Sequence, residues 1–179
     1  MYDAPVPGLR LVLVAVIIGA LAPLTAQQPR KVDPSRAPAI TLEQNKAVVR
    51  RWIEEGFNKR NPAIVDETFV EDVVIGGQSI GRARLRENML RRLAAFPDLE
   101  VTITDILAEG DKVVIWYAAR GTHRGEFEGI AATGRRATWI GSDLLRLDRL
   151  KIAEARFLDD SLGLFRQLRT PDDSGPVRK

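Results

Sequence analysis

The chain has 179 residues, with 27 Lys+Arg against 24 Asp+Glu, one His and no Cys, for a formal net charge of +3. The missing Cys excludes disulfides, thiolate metal sites, iron–sulfur clusters and a Cys nucleophile, and the single His excludes two-His zinc motifs. The length suits one ordinary domain that buries its own core, and the small charge gives no reason to expect nucleic acid or a membrane surface as partner.

Residues 11–22 (LVLVAVIIGALA) carry no charge and follow Arg10. They read as a secretory signal peptide over 1–26, cleaved after Ala26, which predicts a secreted or periplasmic protein. The run from Leu11 to Ala26 is 16 residues and contains Pro23, short of the ~20 apolar residues of a spanning helix. A membrane contact is expected only if this segment is kept as an anchor. Residues 27–39, with three prolines, read as a flexible linker, and 170–179 as a disordered tail. One domain remains, 40–169.

Thr41-Leu42-Glu43-Gln44 is a capping-box pattern, and Val49, Trp52, Ile53 and Phe57 follow at helical spacing, predicting an amphipathic helix that ends near Asn58. Asn61-Pro62 starts a second, shorter helix carrying Ile64, Val65 and Phe69. Val73 to Ile75 form a strand stopped by Gly76-Gly77. A third helix runs from Arg82 to Pro97 through Leu85, Met89, Leu93 and Phe96. After Pro97 the period drops to two: a strand through Val101 and Ile103, a turn at Glu109-Gly110-Asp111, then strands at 112–123, 137–147 and 151–157, and a last amphipathic segment at 160–168. Helices followed by hairpin-connected strands predict an α+β layer, with helices on one face of a curved antiparallel sheet. Such a cone is open at one mouth, a natural ligand pocket.

Gly76 to Arg82 lies between strand and helix, but it lacks both the Walker Lys-Ser/Thr and the dinucleotide glycine spacing, so it reads as a plain turn. Arg82, Arg84, Arg86, Arg91 and Arg92 make a basic helix without interleaved aromatics, which reads as a solvated face rather than a nucleic-acid surface. His123 ends the long strand on the face of Ile115 and Tyr117, where a neutral imidazole is able to donate to a carbonyl or move a proton, or simply to pack. Asp160 follows the last strand. At the lip of an apolar cone, desolvation would make it a base for a C–H proton; the plainer role is a helix cap.

The run Arg120-Gly121-Thr122-His123-Arg124-Gly125-Glu126-Phe127-Glu128-Gly129, then Thr133-Gly134, Trp139, Gly141, Asp143, Lys151 to Glu154 and Asp160 to Leu168, resembles the SnoaL-like polyketide cyclase (ester cyclase) family of the NTF2-like superfamily. Phe96 to Leu99 resemble its helix-to-strand junction. The resemblance implies an α+β NTF2-like cone, with three N-terminal helices packed on a curved, mainly antiparallel sheet. It implies proton-transfer chemistry without metal or cofactor, with Asp160 matching the Asp that removes the C–H proton and Asp159 the lesser choice. It also implies His123 as a second catalytic residue and Trp139 as a pocket residue; with Tyr117, on the His123 face of its strand, and Arg156, Trp139 is expected to contact substrate. Arg156 stands where the family often has Trp; beside Asp160 it would either ion-pair the base or bind an acidic substrate group. Asp148-Arg149-Leu150 replaces the usual Asp-Gly turn.

Two functions follow as expectations. The first is an enzyme of cyclase, isomerase or lyase type acting on a small hydrophobic or carbonyl-containing molecule. The second is a non-catalytic exported module that binds an apolar ligand. A homodimer through the outer sheet face, with Val114 and Trp116 in the patch, is expected in either case.

Overall fold

The structure, a computed structural model, describes residues 40–169; the expected signal peptide, linker and C-terminal tail lie outside them. Thr41 caps α1 (Leu42–Arg51) reciprocally with Gln44, the backbone N–H of Gln44 reaching the Thr41 hydroxyl at 3.2 Å and that of Thr41 reaching Gln44 Oε1 at 2.8 Å. The expected single helix then changes character: Trp52–Asn58 is a π-helix. Its end is fixed by Asn58, whose side chain both accepts from the Val101 N–H (2.8 Å) and donates to the Val101 carbonyl (3.0 Å). The wider turn brings Trp52 and Phe57, five residues apart, into edge-on contact and turns both toward the cavity described below.

The second helix is only α2 (Ile64–Thr68). Phe69, expected at its end, has extended backbone and begins β1 (Phe69–Ile75), where it pairs with Ile152. Gly76 and Gly77, both at positive φ, make the tight turn to β2 (Gln78–Ser79), so this segment is the plain turn expected. Next come α3 (Gly81–Ala95), β3 (Glu100–Glu109), β4 (Lys112–Thr122), β5 (Arg136–Asp148), β6 (Lys151–Asp159) and α4 (Ser161–Arg169).

The six strands form one sheet in the order β2-β1-β6-β5-β4-β3, antiparallel except for the parallel β1–β6 pair. This is the expected α+β architecture, a curved open sheet with helices, matching the NTF2-like cone. Alternation decides the faces. In β5 the residues Ala137, Trp139, Asp143, Leu145 and Leu147 are buried and their neighbours point outward. On the outer face Trp116, Ile140 and Leu158 remain exposed.

In β6 a bulge resets the phase. The pairing passes from Arg146–Glu154 to Leu147–Ile152, which leaves Ala153 as the extra residue. From there Ala155, Phe157 and Asp159 face inward, and Glu154, Arg156 and Leu158 outward. The β5–β6 turn rests on Arg149 and Leu150 at φ 47° and 63°. Two non-glycine residues therefore hold the left-handed conformation that favours glycine.

Candidate active site

Between the inner face of the sheet and the helices lies a cavity of about 630 Å³, within the range of small-molecule sites. The apolar part of its wall is Trp52, Ile53 and Phe57 from the π-helix, Leu85 and Met89 from α3, Phe127 from the loop after β4, and Phe157 from β6. Trp52 is held by Phe69 (5.2 Å between ring centres) and Phe157 (5.5 Å), and Trp139 by Phe96 (5.2 Å).

The polar groups of the cavity come from three adjacent strands, from α3 and from the loop after β4, which brings Glu126 and Glu128. Tyr117 (β4), Gly141 (β5) and Asp159 (β6) stand in one cross-strand row, and Ile115, Asp143 and Phe157 in another. The Tyr117 hydroxyl donates to Asp159 Oδ1 at 2.5 Å. The Arg92 guanidinium, from α3, donates to Asp159 Oδ2 at 2.7 Å. Arg92 thus departs from the solvated face expected for the basic helix; its neighbours Arg82 and Arg86 do face outward, both against Asp66. Burial works against the charge of Arg92, but Asp159 outweighs it and raises the guanidinium pKa.

Asp143 is 2% exposed, and its Oδ1 has no hydrogen-bond partner. Burial first, and the negative charge of Asp159 second, push its pKa up to about 8, against the pull of Arg92. At neutral pH it is mostly protonated, and it exchanges its proton close to working pH. Burial and the two carboxylates likewise push the Tyr117 hydroxyl upward, so it remains a donor. The indole N–H groups of Trp52 and Trp139 are also buried without a partner. A buried polar group without a partner is uncommon in a folded protein. Four such side-chain atoms occur among the described residues, and three belong to residues lining this cavity. Among the described residues, no group of three or more His, Asp or Glu side chains gathers as a metal site would need.

The five residues singled out from the sequence separate into two sets. Tyr117 and Trp139 line the cavity. Asp160, His123 and Arg156 do not. Asp160 accepts the Gly163 N–H at 2.9 Å, capping α4, and lies along a different groove with Glu100, Arg120, Thr138 and Ile140. His123 is fully buried against Phe96 (5.3 Å), its Nδ1 3.1 Å from the Thr133 hydroxyl and accepting from the Thr133 N–H at 3.3 Å. Its own N–H donates to the Arg135 carbonyl and its carbonyl accepts from Gly134, so it ties the end of β4 to the loop. Burial lowers its pKa, which keeps it neutral. Arg156 is exposed on the outward phase of β6, opposite Leu144. Counted from the buried Ile152 it would face inward, and the extra residue Ala153 turns it outward, so neither expected role of Arg156 is met in the cavity.

Sequence reasoning named Asp143 only as a matching residue, Asp159 only as the lesser choice of base and Arg92 only in a solvated basic face, and it gave none of the three its place in the cavity. One signal was present: Asp143 is a carboxylate in the apolar phase of β5, between Trp139 and Leu145, where a packed strand would carry a hydrophobe. The Arg92–Asp159 pairing gave none, since it spans 67 positions.

Comparison with known proteins adds the family. A search of the curated proteins finds no match. Among solved structures, the chain is similar to a candidate SnoaL-like polyketide cyclase from Jannaschia sp. CCS1 (22% identity, 76% of this chain and 99% of that one, TM-score 0.68). It is also similar to AclR, a candidate hydroxylase from Streptomyces galilaeus (26%, 73% and 100%, TM-score 0.66). A third is IdmH, a candidate polyketide cyclase from Streptomyces antibioticus (27%, 71% and 99%, TM-score 0.63). The fold therefore hosts more than one described activity. The sequence profile of the SnoaL-like polyketide cyclases matches residues 47–168, more than half of the chain, and the protein belongs to that family.

Proposed function

We propose that this protein catalyses proton transfer at carbon on a small, largely apolar carbonyl compound, with Asp143 as the base. The observation that carries the reading is the buried Asp143 carboxyl, unpartnered at Oδ1 and titrating near pH 8, on the wall of an apolar cavity. A base poised near working pH does best at such a step. In its ionised form Asp143 takes a proton from carbon next to a carbonyl, and the electron pair moves into the carbonyl to give an enolate. In a cyclase reaction the enolate carbon attacks a second carbonyl of the same molecule, and the new alkoxide recovers the proton from Asp143. The N–H of Trp139, which has no protein partner, is available to the enolate oxygen. Asp159 is committed to Arg92 and Tyr117, and so serves as the fixed counter-charge rather than the base.

The test is solvent deuterium incorporation into a panel of β-keto esters. Wild type and Asp160→Asn should exchange at the same rate, and Asp143→Asn at least ~100-fold more slowly. Equal rates for wild type and Asp143→Asn would end the reading. The alternative, a carrier of an apolar ligand, draws its support from Asp160, whose carboxyl is engaged as a helix cap. It predicts tight binding of hydrophobes with no exchange by any variant.

A further inference from the structure

Tyr117 and Asp159 sit on strands separated by a whole strand, so their Cα atoms are roughly 10 Å apart across the sheet. Their side chains nevertheless meet, the hydroxyl donating to Oδ1 at 2.5 Å. The residue between them on β5 is Gly141, and the Tyr117 ring lies across it. A Cβ on Gly141 would fall 2.3 Å from both Cζ and Oη of Tyr117, and 2.8 Å from the Leu158 carbonyl. No side chain at position 141 is compatible with this ring position. Glycine weakens a strand interior and often marks a close approach, which is what stands here.

The consequence concerns the two carboxyls. With the ring laid over Gly141, Asp159 has a donor on each oxygen, Tyr117 on Oδ1 and Arg92 on Oδ2. Asp143, one row along the sheet, has none at Oδ1. We infer that Gly141 is a positioning residue for this pair: by leaving the inner face of β5 bare it lets Tyr117 hold the Asp159 carboxylate in place beside Asp143, and that neighbouring charge adds to burial in keeping the exchangeable proton on Asp143. The charged and titratable groups facing Asp143 are Asp159 on β6, Arg92 on α3 and Tyr117 on β4. Arg84 and Arg91 of α3 and Glu126 and Glu128 of the following loop line the same cavity. Only the first three are joined in the chain of bonds that Gly141 permits. The inference deepens the reading of Asp143 as the base, but its test needs no substrate.

The measurement is a carbon-13 carboxyl titration of the whole chain, with the Asp143 signal assigned by its loss in Asp143→Asn. In wild type the midpoint should lie near 8. Gly141→Ala should displace the Tyr117 ring, and Tyr117→Phe should remove the hydroxyl but keep the ring. Each should lower the midpoint by at least ~1 pH unit, because the neighbouring charge is no longer held in place. In a Tyr117→Phe background, adding Gly141→Ala should shift it by less than half as much as it does alone. A wild-type midpoint near 8 that Tyr117→Phe leaves unmoved overturns the inference and leaves the functional reading standing, even where Gly141→Ala fails to fold. A wild-type Asp143 that does not titrate between pH 7 and 9 removes that reading itself.

Discussion

The loop that closes the end of β4 and the inner rows of β4, β5 and β6 are both built from residues the family resemblance singles out, yet they do different work. In the loop, Gly125 lies so close to the end of α3 that a Cβ would meet the Ala94 carbonyl oxygen at 2.6 Å, and the Arg124 and Gly125 N–H groups both donate to the Ala95 carbonyl. The Asp98 carboxyl, just past α3, takes both the N–H and the hydroxyl of Thr122 (2.6 and 2.7 Å), bonds that lower its pKa. With His123 pinned to Thr133, the conspicuous Gly-Thr-His-x-Gly motif is a clasp that fixes the strand end to the helix end. The inner rows carry no comparable motif. They hold a buried acid, a phenol and an ion pair that the sheet register and the packing of α3 bring together. The lesson is that the most recognisable residues here frame the cavity, and the reactive ones stand out by being polar where the strand phase demands apolar side chains.

That contrast breaks most sharply at Asp143. Asp143→Asn should reduce carbon-acid exchange by ~100-fold or more and also change stability. Because the folded pKa of about 8 lies above the ordinary carboxylic value, the folded chain holds a proton that the unfolded chain has shed between roughly pH 4 and 8. Wild-type stability should therefore fall as pH rises through this window, by up to about 1.4 kcal/mol per pH unit. The variant should lack that slope and gain on the wild type at neutral pH, as thermal unfolding across pH 4–9 would read.

Arg92→Met should cost about 2–3 kcal/mol by denaturant unfolding. It strands the Asp159 carboxylate, and the partial exposure of the pair keeps the loss under that of a fully buried one. His123→Ala should cost about 2–3 kcal/mol by removing a fully buried ring from the clasp, yet the folded fraction should exchange at the wild-type rate. A lost rate with unchanged stability would move His123 from the clasp to the site. Smaller still, Asp160→Ala should lose about 1 kcal/mol as a missing cap, with activity intact. Leu150→Gly should gain about 1 kcal/mol by relieving a left-handed backbone.

The fold was legible in the sequence because alternation and helical spacing are local. The capping box at Thr41, the breaks at Gly76-Gly77 and Pro97, and the two-residue period after Pro97 all appear where expected. The site was legible only in part. Tyr117 follows from strand parity and Trp139 from the family resemblance, and both line the cavity. Parity does not give Asp159, since one extra residue, Ala153, reverses the phase of β6 and carries Arg156 and Leu158 outward. The widening of the helix into a π-turn at Trp52 is set by Asn58 reaching a strand 43 positions away, which no local pattern announces.

The central claim is that proton transfer belongs to Asp143 in the cavity and not to Asp160 at the helix cap. The most direct measurement is the pH dependence of solvent deuterium incorporation into a β-keto ester by wild type, Asp143→Asn and Asp160→Asn. The account predicts a rate for wild type and Asp160→Asn that rises with pH to a plateau above about 8, the midpoint set by Asp143, and no such rise in Asp143→Asn. A profile that survives in Asp143→Asn and disappears in Asp160→Asn would contradict it.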